Sequence, residues 1–255
     1  MTIEIKNLQL SYQDTPIVHH LSLCFPPNKV IGLLGPNGCG KSTTLKAIAR
    51  LLKPKQGTIT YQGKDIWQKT PKEYAKHLAF LPQQHLVPEG ISVRELVSYG
   101  RSPYVNLWGK LSAKDEELVN RAMLQTHTIE LSDKLVADLS GGQQQRVFLA
   151  MTLAQDTDIV LLDEPTTYLD LNRQADLMAM MRQMQQDGKT IITVLHDLNQ
   201  ASRYCDYLII FKEGNLIAQG APEEVMTKAL LKNVFDLEVE IHRDPVSNTP
   251  MFILK

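Results

Sequence analysis

The chain has 255 residues, with 27 basic and 28 acidic side chains and a formal net charge of −1. That length buries a substantial core without disulfide or metal support, and the charge balance gives no bulk electrostatic reason to bind nucleic acid. Three widely spaced cysteines, Cys24, Cys39 and Cys205, follow no metal-ligand pattern and leave an odd count that suits a reducing compartment, so the chain reads as cytoplasmic. The first residues, MTIEIKNLQLSY, alternate apolar and polar side chains and lack the apolar core of a signal peptide. The longest apolar runs, such as 159–162 and 208–211, are far shorter than the roughly 20 residues a bilayer-spanning helix needs. Any membrane role is expected to be peripheral.

In chain order, the alternating Ile3, Ile5, Leu8 and Leu10, then residues 17–25, then the apolar run 30–34, predict three strands, the last buried on both faces. GPNGCGKST follows at once and opens a helical pattern through Leu45, Ile48, Ala49 and Leu52; residues 57–61 return as strand. From about 88 to 154 the pattern is mostly helical, with Val93, Leu96 and Val97 on one stripe and Leu118, Ala122 and Gln125 on another, which predicts an inserted helical subdomain. Strand 159–163, helix 171–186, strand 190–195, helix 198–204 and strand 207–211 then alternate as in an α/β parallel sheet. Glu213, Gly214 and Asn215 mark a hairpin, and a short helical tail leads to strand-like 239–242. Met178, Met180, Met181 and Met184 read as core filler, and Lys110, Lys114 and the acidic run 115–117 as a solvated helix face.

Gly35, Gly38, Gly40, Lys41 and Ser42 fit GxxxxGK[ST]. In that pattern, glycines let backbone N–H groups close around phosphates at a helix N-terminus, the lysine reaches the β and γ phosphates, and the hydroxyl binds Mg2+. The buried strand 159–162 ends in Asp163 and Glu164, at the edge where an α/β sheet places its ligand. Asp163 suits an indirect contact with Mg2+, and Glu164 a general base that polarises water; the same pair also reads as a helix-capping acidic pair. Leu139, Ser140, Gly141, Gly142 and Gln143 precede a helical run, so Ser140 is expected as N-cap with Gln143 closing a capping box. The two glycines would also let a γ-phosphate approach the helix end, where Ser140 either caps or contacts phosphate.

Together these segments resemble the ATP-binding cassette family. Walker A is GPNGCGKST, the signature is LSGGQ and Walker B is IVLLDEP, in the family's order and approximate spacing over residues 3 to about 220. The resemblance implies a P-loop NTPase core with a mainly parallel sheet, an N-terminal antiparallel β subdomain and a helical subdomain inserted at about 88–154, all in one domain spanning 1–255. Residue by residue it implies that Pro36, Asn37, Cys39 and Thr43 join the phosphate loop and that Tyr12 stacks on adenine. It further implies that Gln83 is the Q-loop glutamine contacting Mg2+ or water, Asp170 the D-loop aspartate and His196 the switch histidine. Cys39 and Tyr168 depart from the commoner residues. A helix N-terminus and Lys41 are expected to favour the Cys39 thiolate, so that a thiol reagent inactivates and ATP protects.

The resemblance also implies a homodimer that sandwiches two ATP molecules between Walker A of one chain and LSGGQ of the other, with two transmembrane permease subunits as partners. A periplasmic or surface-anchored substrate-binding protein is an indirect partner, nucleic acid is not, and the ATPase sits at the cytoplasmic face of the bacterial cell membrane. Leu86, Val87, Pro88, Ile91 and Val93, beside Tyr99, Pro103, Tyr104 and Trp108, are expected either to dock the permease or to be buried within the subdomain. GISVRELVSYGRSPY, DEPTTYLDL and VLHDLNQASRYCD look like ATPases of iron-siderophore, haem and cobalamin importers. Within that group LWGKLSAKD, HDLNQASRYCD and EIHRDPVSNTPM most resemble the ferric dicitrate importer. Cassette ATPases that serve no transporter, and a non-catalytic module whose ATP site only regulates assembly, are the rivals. Intact Glu164 and His196 argue against the second.

Overall fold

The computed structural model describes residues 2–87, 89–105, 110–167 and 169–255. Pro88 and Trp108 of the expected docking stretch, and Tyr168, lie outside the described residues. The chain forms two compact units, one made of the residues up to Gln68 together with those from Met181 onward, the other of Lys69–Met180.

The first unit opens with β1 (Ile3–Tyr12) and β2 (Thr15–Phe25), then β3 (Val30–Leu34), α1 (Lys41–Ile48), β4 (Gln56–Tyr61) and β5 (Lys64–Asp65). β2, β1, β4 and β5 make an antiparallel sheet in that order. Along β1 the buried residues are Ile3, Ile5, Leu8 and Leu10. Their spacing of two, three and two would turn half of them outward in a regular strand. A register shift between Ile5 and Leu8, with Asn7 at φ 47°, absorbs the extra residue, and all four side chains stay inside.

The second unit contains α2 (Pro71–Tyr74), β6 (Leu78–Leu81), α3 (Val93–Ser98), α4 (Ala113–Gln125), α5 (Gly141–Ala154) and β7 (Ile159–Asp163), and α6 (Leu171–Gln186) begins in it. β6 and β7 pair in parallel. Among the described residues of 88–154 the regular elements are α3, α4 and α5 with short 3-10 turns between them. Strand β6 was not foreseen, because its LAFL run is too short to show a period. Each of α3, α4 and α5 starts with a capping box, on Ser92, Ser112 and Ser140 respectively.

One expectation fails here, and one open alternative divides by residue. Asp115 is not part of a solvated face: it is buried and accepts from Arg101 Nε at 2.8 Å and from the Ser112 hydroxyl at 2.6 Å. Ile91 and Val93 are buried in the unit, whereas Leu86 is 94% and Tyr99 58% exposed. Of the four methionines expected as core filler, Met178, Met181 and Met184 are buried and Met180 is half-buried.

The chain returns to the first unit with β8 (Thr190–Val194), α7 (Leu198–Tyr204), β9 (Tyr207–Lys212), β10 (Asn215–Gly220), α8 (Pro222–Val225), α9 (Lys228–Phe235), β11 (Val239–Arg243) and β12 (Pro250–Leu254). β3 lies between β8 and β9, parallel to both, and β10 adds antiparallel to β9. VIGLL of β3 and TIITV of β8 are buried at every position, as strands covered on both faces must be. β11 and β12 form a separate hairpin. Among the described residues, no helix is long and apolar enough to cross a membrane.

Candidate functional site

The loop between β3 and α1 leaves a buried strand and enters a helix within six residues. Gly35 has φ 148°, and a Cβ there would collide with the Phe211 carbonyl oxygen and lie 2.7 Å from Cys39 Sγ. Gly38, at φ 75°, faces open space. Gly40 caps α1 in the left-handed conformation, without a side-chain cap bond, and the first turn carries no acidic residue. The positive end of α1 is therefore left to an external anion. Lys41 is buried, and its Nζ donates to the Gly35 and Pro36 carbonyl oxygens at 2.7 and 3.0 Å, which holds an ammonium inside the loop. Asn37 and Gly38 are exposed, Pro36 and Ser42 half-buried and Thr43 buried, so the loop presents its tip to solvent and anchors its ends.

Cys39 corrects an expectation. Its thiol is buried, and burial pushes its pKa up despite the opposing pull of Lys41 3.7 Å away. The thiolate is disfavoured, because desolvation outweighs one neighbouring cation. Also in this unit, Tyr12 ends β1 with its ring 45% exposed, and His196 is exposed just beyond β8. Asp197 caps α7 by accepting from the Gln200 N–H at 2.9 Å, which settles the backbone next to His196.

In the second unit β7 is buried throughout and ends at Asp163. Glu164 follows at φ 52°, a left-handed backbone that costs a non-glycine residue roughly 1–2 kcal/mol. Its carboxylate accepts from Gln83 Nε2 at 2.7 Å, so the strand-end acid and the Q-loop amide are brought together. The first turn of α6 is capped by Asp170, which accepts from the Arg173 N–H at 2.8 Å. The Asp163–Glu164 pair thus does not serve as that cap. At the start of α5, Ser140 N–H donates to Gln143 Oε1 at 3.0 Å and the Ser140 hydroxyl accepts from Gln143 N–H at 3.4 Å, the expected capping box. Gly141 is exposed with open space around it, and the first turn is free of acidic residues.

Two residues escaped the sequence reading. Gln145, one turn into α5, is buried and donates to the Pro165 carbonyl at 3.4 Å. His85 packs its ring on Phe148 with centroids 3.9 Å apart. A polar Gln145 inside an otherwise apolar stripe was the available signal for the first; nothing in the sequence marked the second.

A glycine loop that follows a buried parallel strand and feeds an uncapped helix end, with a lysine held inside it, defines a phosphate-binding α/β protein. A family model described as ABC transporter matches residues 18–167. The achromobactin transport ATP-binding protein CbrD of Dickeya dadantii (strain 3937) is 49% identical over 98% of this chain and 94% of that protein. The probable siderophore transport system ATP-binding protein YusV of Bacillus subtilis (strain 168) is 44% identical over 98% and 92%. The dimeric structure of MJ0796, a bacterial ABC transporter cassette, aligns with a TM-score of 0.77 at 26% identity, covering 86% of this chain and 98% of that one. The chain belongs to the ABC transporter family, as an ATPase whose hydrolysis is coupled to transport. Its fold is the cassette ATPase fold, α/β with an antiparallel N-terminal sheet.

Proposed function

We propose that this chain powers a bacterial importer of iron(III)-siderophore complexes by hydrolysing Mg-ATP in a homodimer. The observation that carries the reading is the β3–α1 loop, where the open end of α1 and the buried Lys41 ammonium await a polyphosphate. Gly35, Pro36, Asn37, Gly38, Cys39, Gly40, Lys41, Ser42 and Thr43 hold the phosphates, and the exposed Tyr12 ring offers adenine a stacking face. Ser42, Asp163 and Gln83 carry the hard oxygen donors that Mg2+ prefers, and the ion would neutralise charge on the phosphates. Glu164 holds and orients the attacking water as general base. Gln83 fixes the Glu164 carboxylate, and His196 contacts the γ-phosphate.

The second chain supplies Ser140, Gly141, Gly142 and Gln143, with Asp170 at the edge of the shared site. A lone glycine loop neutralises one side of a triphosphate. A facing helix end adds charge-assisted hydrogen bonds of roughly 1.5–3 kcal/mol each, enough for ATP to hold the dimer together. Leu86 and Tyr99, exposed apolar side chains beyond Gln83, fit a docking face for two permease subunits at the cytoplasmic side of the membrane. A substrate-binding protein delivers the cargo to those permeases. One ATPase domain with an inserted helical subdomain accounts for the whole chain. Relatives named for achromobactin and siderophore transport support the cargo class. The narrower cargo, ferric dicitrate, rests on LWGKLSAKD, HDLNQASRYCD and EIHRDPVSNTPM.

Glu164→Gln keeps shape and removes the base. Steady-state hydrolysis should collapse while a Mg-ATP dimer accumulates in size-exclusion chromatography. Persistent hydrolysis without an ATP-dependent dimer would overturn both the base and the composite site.

A further inference from the structure

Between Pro82 and Val87 the chain has neither helix nor strand, and Leu86 turns outward at 94% exposure, so little regular structure holds Gln83 where it meets Glu164. His85 is the exception within that loop. Its ring packs at 3.9 Å centroid to centroid against Phe148 of α5, tilted by 34°, and its Nδ1 is buried without a hydrogen-bond partner among the described residues. The ring's polar neighbours are the Gln145 side chain and the Pro82 carbonyl. Gln145 in turn donates to the carbonyl of Pro165, the residue after Glu164, and Glu164 accepts from Gln83 two positions before His85. The contacts therefore close a circuit: Gln83 to Glu164, on through Pro165 to Gln145 and back through His85.

We propose that His85 is a positioning residue that locks the Gln83 loop onto the helix beginning at LSGGQ, so that the Gln83–Glu164 pair and the start of α5 keep one fixed arrangement. A buried amide such as Gln145 must satisfy both of its ends, and an imidazole meets it while its apolar faces stack. A wholly apolar residue would fill the space but leave Gln145 without that neighbour. An exposed polar residue would leave the loop unanchored.

This inference rests on the roles proposed for Glu164 and Gln83, and its test separates the two. His85→Ala, His85→Phe and Glu164→Gln are each prepared in the full chain, and ATP hydrolysis and thermal unfolding are measured. A displaced reacting group costs up to about 100-fold in rate per ångström, so His85→Phe should lower kcat about tenfold while KM for ATP stays within about twofold. Its melting temperature should fall by no more than about 10 °C, since the ring packing is kept and only the partner of Gln145 is lost, which covers the case in which His85→Ala fails to fold. A His85→Phe protein with parental kcat, beside an inactive Glu164→Gln, would overturn this inference alone. A Glu164→Gln protein with parental kcat would overturn the reading of Glu164 itself.

Discussion

Replacing Arg101 with Met tests what holds the Lys69–Met180 unit together. The Arg101 side chain is 5% exposed, and its Nε donates to Asp115 Oδ1 at 2.8 Å. Nη1 donates to the Ala154 and Gln155 carbonyl oxygens at 2.9 Å each, at the end of α5, and the guanidinium carbon lies 3.9 Å from the Tyr104 ring centroid. One residue thus joins the turn after α3, the first turn of α4 and the last turn of α5. Methionine keeps most of the apolar stem but supplies no donor. Asp115 retains its bonds from Ser112 N–H and hydroxyl, so the damage falls on its unbalanced charge and on two carbonyl groups. Breaking a buried pair from one side costs about 3–5 kcal/mol. At roughly 2–4 °C per kcal/mol for a chain of this length, the melting temperature should fall by about 6–20 °C. Arg101→Lys keeps the charge but loses the fork, and should fall between the two. Differential scanning fluorimetry reads the shift, and hydrogen exchange should locate the loosening at α4 and the C-terminal turn of α5. A melting temperature for Arg101→Met within about 2 °C of the parent would refute the clamp, since that is under 1 kcal/mol on the same scale.

The same pair sets a pH dependence. Ser112, with Arg101 beside it, holds the Asp115 carboxyl below the usual carboxylate range, so its stabilisation is present above the unfolded value of about 3.9 and is lost as pH falls through the folded value. The melting-temperature gap between the parent and Asp115→Asn should therefore be full at pH 7 and close below about pH 4. Alkylation followed by mass spectrometry should find Cys24, the exposed cysteine, modified first. Cys39 and Cys205 should stay protected until unfolding, the latter because burial pushes its thiol up to about 12. Gly35→Ala should abolish ATP binding, since the Phe211 carbonyl occupies the space a Cβ needs; parental affinity for a fluorescent ATP analogue would count against that. Ser140→Ala should cost about 1 kcal/mol of cap stability in chemical denaturation.

Much of the fold was legible because burial writes itself into short segments. VIGLL and IVLLD read as strands covered on both faces, and Ser140 with Gln143 announced the start of α5. The glycine loop was legible for a related reason: its conformations exclude most side chains, so the backbone leaves a mark on composition. β6 and β12 were not legible: LAFL and PMFIL have no glycine loop or acidic pair beside them to mark a strand end, and each is a strand only through the partner it pairs with.

Local chemistry in the sequence therefore determined the class of protein, the phosphate loop and the capped start of α5, each of which depends on neighbours a few residues away. Only the tertiary structure decided the fate of charges and thiols. Asp115, in a run that reads as solvated, is buried because Arg101 waits 14 residues earlier in sequence and 2.8 Å away in space. Cys39, beside a cation and a helix end, is kept protonated by burial. Gln83 reaches Glu164, 81 residues on, and His85 meets Phe148. Such groups answer to desolvation and long-range pairing, which depend on which atoms the folded chain brings together and leave no trace in spacing along it.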